Sequence, residues 1–179
     1  MIDCTELITD RPSSLKAQSQ FYSDYKSNTT LKALIAVDSR GSVMFVSPLM
    51  TGSISDNDIC VKSRFFDYLK KLKSKNFILE GDAIMADKGF RIEKELFEIG
   101  MKLNIPPFAS KASQMIPSDV LLTRKIAKYR IHVERAIKSI KDFKIVSKKI
   151  PASLFHMINE IFFVCCILTN FLPILVRNE

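Results

Sequence analysis

Apolar and polar positions divide the chain into short strand-like runs in its first half and longer helical patterns in its second. Residues 1 to 8 alternate weakly and predict a strand, cut short at its start because only Met1 and Ile2 precede Asp3. Residues 11 to 25 are polar, with Pro12 and several Ser and Gln, and predict a long loop. Residues 30 to 37 and 42 to 47 are apolar or β-branched. Asp38-Ser39-Arg40-Gly41 between them predicts a hairpin turn, with glycine where positive φ is cheapest.

A polar loop follows at residues 51 to 57. Asp58 is then placed to cap a helix running to about Leu72, with Ile59, Phe65, Phe66, Leu69 and Leu72 on or near one face and a basic end at residues 70 to 75. Gly81-Asp82 leads into a short apolar strand at 83 to 86, then Asp87, Lys88-Gly89, a helix at 92 to 99 and a strand at 101 to 105. That order is a βαβ crossover, whose usual outcome is a parallel pair. Pro106-Pro107 ends the strand, and the stretch to Pro117 reads as irregular. Ser118 is expected to cap the longest helix, 119 to 141, with the apolar stripe Leu122, Ile126, Tyr129, Val133, Ile137 and Ile140. Residues 143 to 150 form a basic connection, and Pro151 and Ser153 open a last helix to about Asn170, apolar on most sides and therefore expected to be buried. The sum is a mixed α/β fold with one central sheet, an antiparallel hairpin plus parallel crossover strands, covered by helices.

Length and composition narrow the partner. The 179 residues fit one domain with a real core. A net charge of +8 and a pI near 9.4 point to a polyanion. Cys4, Cys60, Cys165 and Cys166 contain no C-x-x-C pair, so neither a zinc site nor a disulfide framework is expected, and a reducing compartment is the better fit. Residues 161 to 176 are the one membrane candidate. They are interrupted by Thr169, Asn170 and Pro173 and fall short of the roughly 20 apolar residues a span needs, so no membrane partner is expected.

Three carboxylates stand in unusual company. Asp87 directly follows a short buried strand, and ligand sites in open α/β sheets lie beyond the carboxyl ends of strands; an Asp before Lys-Gly is equally a turn residue. Glu134 is the lone acid from Val120 to Lys141 among seven basic residues. It reads either as a surface partner of Arg130 and Lys138, worth roughly 0.3 to 0.5 kcal/mol per pair, or as a metal ligand on a phosphate-attracting helix. Asp3 alone reads as a terminal residue, Asp56 as loop polarity and Asp82 as turn chemistry beside Gly81. His132, two residues before Glu134, falls on another helix face at about 100° per residue and is a poor co-ligand.

Taken together, six segments in order resemble the DDE superfamily endonuclease domain of Harbinger-type and THAP-associated transposases. They are Ile2-Asp3-Cys4-Thr5-Glu6, Tyr25-Lys26-Ser27, Gly52-Ser53-Ile54-Ser55-Asp56, Ala86-Asp87-Lys88-Gly89-Phe90, Asn104-Ile105-Pro106-Pro107-Phe108 and Arg130-Ile131-His132-Val133-Glu134-Arg135-Ala136-Ile137. The resemblance implies an RNase H-like fold with Asp3, Asp87 and Glu134 as the catalytic, metal-holding triad. Asp3 and Asp87 would come from neighbouring strands and Glu134 from the long helix. It implies DNA phosphodiester cleavage, with strand transfer as a further step, by two divalent ions, Mg²⁺ with Mn²⁺ as substitute. By position and charge, Lys88, Arg130 and Arg135 would contact DNA phosphates, in a salt-sensitive way.

No zinc finger or basic helix-turn-helix precedes the domain, so target selection would come from a separate DNA-binding protein or an upstream domain. Nuclear location follows from DNA chemistry, and oligomerisation is left open. The alternative is a transposon-derived module that no longer cuts and serves DNA binding or protein interaction.

Overall fold

The computed structural model describes residues 1–106 and 117–172. In chain order the elements are β1 (Ile2–Ile8), α1 (Leu15–Phe21), β2 (Tyr22–Ser23), β3 (Asn28–Val37), β4 (Val43–Val46), β5 (Met50–Thr51), α2 (Asp56–Lys62) and α3 (Phe65–Ser74). They continue with β6 (Ala83–Met85), α4 (Glu93–Glu98), β7 (Lys102–Asn104), α5 (Pro117–Lys141), α6 (Lys144–Ser147) and α7 (Ile158–Thr169), with a 3-10 turn at Ala152–Leu154 before α7.

β3 is the spine. β1 lies antiparallel along one edge, with Ile2 opposite Ala36 and Ile8 opposite Thr30, while β4, β5 and β2 pair with successive segments of β3. The β3–β4 hairpin forms as its turn residues predict, with Gly41 at φ 88. The β6–α4–β7 crossover also forms, and its two strands are parallel, Ile84 opposite Leu103. One point differs from the expected single central sheet: among the described residues no strand pairing joins β6–β7 to the five-stranded sheet. β1 and β6 therefore are not hydrogen-bonded neighbours. They meet by side-chain packing, because Ile2, Leu34 and Ala36 share a buried cluster with Ile84, Ala86, Phe90 and Leu96.

The period-2 alternation of β3 creates two cores. Leu31, Ala33, Ile35 and Val37 point to one face and pack with Val133, Ala136 and Ile140 of α5 and with Ile158, Phe162 and Cys166 of α7. Leu34 and Ala36 point to the other face, towards Ile59, Phe65 and Leu69. Both faces of β3 are thus covered, which accounts for its nearly unbroken apolar run. The predicted α5 stripe holds at Ile126, Val133 and Ile140, each essentially buried; Tyr129 instead is 41% exposed, and Ala136 belongs to the buried face.

Several local expectations change. The polar stretch 11 to 25 contains α1 and β2. Ser14 caps α1 by accepting the Ala17 N–H at 3.1 Å, but the helix buries no residue fully, so it carries no apolar stripe to read. The helix expected from Asp58 is two helices. Ser55 is the cap, accepting the Asp58 N–H at 3.1 Å and donating its hydroxyl to the Asp58 carboxylate at 2.8 Å, and the run breaks at Arg64, whose φ of 61 cannot continue a right-handed helix. The long helix starts at Pro117, ahead of Ser118; proline suits a first helical position because its missing N–H would be unpaired there. The basic connection contains α6. The irregular stretch expected before Pro117, the Pro107-Phe108 part of the motif above and the end of the 161 to 176 apolar run lie outside the described residues.

α7 is a correction of a different kind. Ile158, Phe162, Cys165 and Cys166 are buried, but Phe163 and Val164 are about half exposed, so the helix is covered on one side rather than all round. Asn170 fixes its end by accepting the Val43 N–H at 2.7 Å and donating to the Val43 carbonyl at 3.0 Å. Among the described residues no helix is long and apolar enough to cross a membrane.

Candidate active site

Strand register decides what β1 can offer. Asp3 pairs with Ile35, and the start of its strand is tied down: the Met1 ammonium donates to the Val37 carbonyl at 2.8 Å, and the Val37 N–H returns to the Met1 carbonyl at 2.8 Å. Asp3 thus has a fixed backbone despite its place near the end of the chain. Its carboxylate accepts the Cys4 N–H at 2.8 Å. Burial pushes its pKa up; that hydrogen bond and Arg130 oppose the rise, and Asp87 and Asp56 add to it.

Asp87 lies just beyond β6, in the turn Asp87-Lys88-Gly89-Phe90. Its carboxylate accepts the Lys88 N–H at 2.8 Å and its carbonyl accepts the Phe90 N–H at 3.1 Å, while fully buried Ala86 and Phe90 pin the turn on both sides. It is therefore a turn residue, and it also lines the cleft described below. The turn is braced from α2: Asn57 accepts the Arg91 N–H at 2.6 Å, and the Asp56 carboxylate lies so close to Gly89 that a β-carbon there would sit 2.9 Å from it.

Glu134 projects from α5 and pairs with Arg130 at 3.4 Å, one helical turn back. The same guanidinium reaches Asp87 at 3.3 Å. Arg130 thus ties the helix to the turn and holds two acids at its two ends. No pair between Glu134 and Lys138 forms among the described residues.

Asp3, Asp87, Glu134 and Arg130 line a single cleft of about 460 Å³. All three sequence-predicted acids are therefore brought together. Lys88 and Arg135 are not among the described residues lining it; Lys88 is half-buried in the Asp87 turn and Arg135 is exposed on α5. His132 is buried elsewhere, where burial and the positive charge of Arg135 push its pKa down.

The cleft also holds residues to which the sequence reading gave no site role. Lys32 and Asp56 form an ion pair at 2.7 Å, and Lys32 donates to the Ile54 carbonyl at 3.1 Å. Burial works against the Lys32 charge, but Asp56 outweighs it and its pKa is raised. Lys26 and Lys141 line another part of the cleft, where burial and then Lys26 push the Lys141 pKa down, against Glu6 and Asp3. Two signals pointed there. Lys32 is the lone charge inside the apolar run of β3, and Lys141 follows Glu134 by two helical turns, on the same face of α5.

As donors, the three carboxylates suit a hard divalent cation. The one soft candidate, Cys4, has its thiol pushed strongly up by burial first and by Asp56 second, so it stays protonated. As the side chains stand, no three His, Cys, Asp or Glu groups among the described residues are close enough to hold a metal ion. Arg130 is the cation that Asp87 and Glu134 already share.

The burial of Asp3 has a measurable consequence. A carboxyl whose folded pKa is raised takes up its proton more readily in the folded than in the unfolded state, so stability falls as pH rises through the interval above the ordinary Asp value. In EDTA, Asp3→Asn is expected to melt at a higher temperature than the wild type at neutral pH, with the difference shrinking at mildly acidic pH. A lower melting temperature at neutral pH would contradict the raised pKa.

Comparison with curated proteins and with solved structures returned no match. The family model for the DDE superfamily endonuclease, however, matches residues 2–170, a span that includes the edge strand bearing Asp3, the turn bearing Asp87 and the helix bearing Glu134. The chain belongs to the DDE superfamily endonuclease family.

Proposed function

We propose that the chain is the catalytic domain of a Harbinger-type transposase, cutting DNA phosphodiesters with Asp3, Asp87 and Glu134 as its metal-holding acids. The observation that carries this reading is their arrival from three separate elements in one basic-rimmed cleft. Divalent ions bound there, Mg²⁺ or Mn²⁺ in a two-ion arrangement, would activate an attacking oxygen and neutralise charge on the leaving one.

The chain's own residues do the rest. The sheet and the α2 brace keep the backbones of Asp3 and Asp87 in place, so the reorganisation that ion and substrate require is confined to side chains. Lys26 and Lys141 supply positive charge for a phosphate within the cleft, and Lys88 and Arg135 serve the flanking backbone. Such contacts hold DNA in register without reading its sequence, so recognition falls to a separate DNA-binding protein or domain, and the work is nuclear. We treat the chain as one catalytic domain.

A second reading, a transposon-derived module that binds DNA without cutting, is favoured by the Arg130 pairing with both Asp87 and Glu134. Nicking of supercoiled plasmid by the purified chain separates the two. Nicking that requires Mg²⁺ or Mn²⁺, stops with EDTA and weakens as salt rises is expected for the nuclease. Salt-sensitive plasmid binding with no nicking in either ion would favour the binding module.

A further inference from the structure

An ordinary helical ion pair joins two side chains of one helix. Arg130 instead serves two carboxylates from different elements, Glu134 on α5 at 3.4 Å and Asp87 in the turn after β6 at 3.3 Å, and its charge is felt at Asp3 as well. A single cation therefore already sits among the acids. Among the described ion pairs it is the cation paired with each of these two acids. Its side chain is 27% exposed and its partners are 48% and 54% exposed, so both pairs are screened by water and weak enough to exchange.

We infer that Arg130 is the resident counter-cation of the metal-free site and is exchanged for the divalent ion. This rests on the metal reading proposed above. The guanidinium holds the two acids near each other before the ion arrives and is released into the cleft when they turn to it. Arg130 then becomes available to a DNA phosphate only after the ion has bound. Binding of the ion and of DNA thus support one another, and by linkage the support is mutual.

The test is Mn²⁺ binding to the DNA-free protein, followed by calorimetry, for the wild type, Arg130→Gln and Glu134→Ala. Removing a competitor held by two exposed pairs is expected to make Arg130→Gln bind Mn²⁺ about three- to tenfold more tightly, with Glu134→Ala weaker than wild type. Equal or weaker binding by Arg130→Gln, with wild-type binding intact, would overturn the exchange and leave the metal reading standing. No Mn²⁺ binding by the wild type would overturn both. A second measurement avoids the substitution altogether: the Arg130 Nε–H resonance of the wild type should move as Mg²⁺ saturates the site. An unmoved resonance under saturating Mg²⁺ would also overturn the exchange. With Ca²⁺ as a non-cleaving probe, a short labelled duplex should bind the wild type more tightly than in EDTA and Arg130→Gln with a smaller gain; an equal gain would overturn the coupling.

Discussion

Asp87→Ala and Glu134→Ala are each expected to lower metal-dependent DNA cleavage by on the order of 10³-fold or more while leaving the fold and salt-sensitive DNA binding nearly intact. The contrast between the two effects comes from where the carboxylates sit. Their side chains are 48% and 54% exposed, and the ion pair each makes is with Arg130. Losing one such pair costs less than about 1 kcal/mol, because exposed pairs are screened and flexible. On the proposed reading DNA affinity resides in the basic residues, which both substitutions retain. Plasmid nicking, thermal melting and duplex binding measured on the same preparations check this. Cleavage that survives either change would remove that acid from the mechanism, and unfolding of both proteins would make their role structural.

Gly52→Ala is expected to destabilise the protein by about 2–3 kcal/mol, a typical cost of forcing a methyl group into packed space. A β-carbon at this position would lie 2.1 Å from the Thr30 hydroxyl oxygen, 2.7 Å from the Phe21 carbonyl and 2.9 Å from the Thr30 carbonyl. Two of these atoms are backbone. The third cannot simply rotate away, since Thr30 is fully buried and its hydroxyl donates to the buried Glu6 carboxylate at 2.7 Å. The loop itself must shift, which strains the Gly52 N–H bond to Thr30 at 3.0 Å and the Ser53 N–H bond to Gln20 at 3.1 Å. That loop leads directly into Asp56 and Asn57, so the Asp87 turn loses its brace and cleavage falls along with stability. Urea denaturation gives the first effect and nicking the second. A loss under about 0.5 kcal/mol would mean that the loop is free to accommodate a side chain.

Elements that carry their own periodicity were legible. β3 buries both faces and α5 one, so an apolar, β-branched run in one and three- and four-residue steps in the other marked their positions. The crossover of β6, α4 and β7 was legible from glycine and acid punctuation between apolar runs. α1 was not, because its stability comes from a Ser14 cap and from stacking of Phe21 on Phe155 at 5.9 Å, a contact distant in sequence. The break at Arg64 was hidden since Ile59, Phe66 and Leu69, seven and three residues apart, keep helical spacing across it. α7 misled in the opposite direction, its apolar residues outnumbering the described neighbours that cover them.

The acids divide along the same line. Asp87 and Glu134 could be singled out by position, at a strand end and alone on a basic helix. Asp3 could be singled out only by resemblance. The pairing of Lys32 with Asp56, and of Arg130 with both Asp87 and Glu134, depends on how β3, α2, α5 and the β6 turn converge. No spacing along the chain contains that information.

The most direct test of the account is anomalous diffraction from crystals equilibrated with Mn²⁺ at a concentration that supports nicking. The account predicts Mn²⁺ in the cleft within coordinating distance of the Asp3, Asp87 and Glu134 carboxylates, with Arg130 turned away from Asp87 and Glu134. Mn²⁺ bound only elsewhere, with Arg130 still between Asp87 and Glu134, would contradict it.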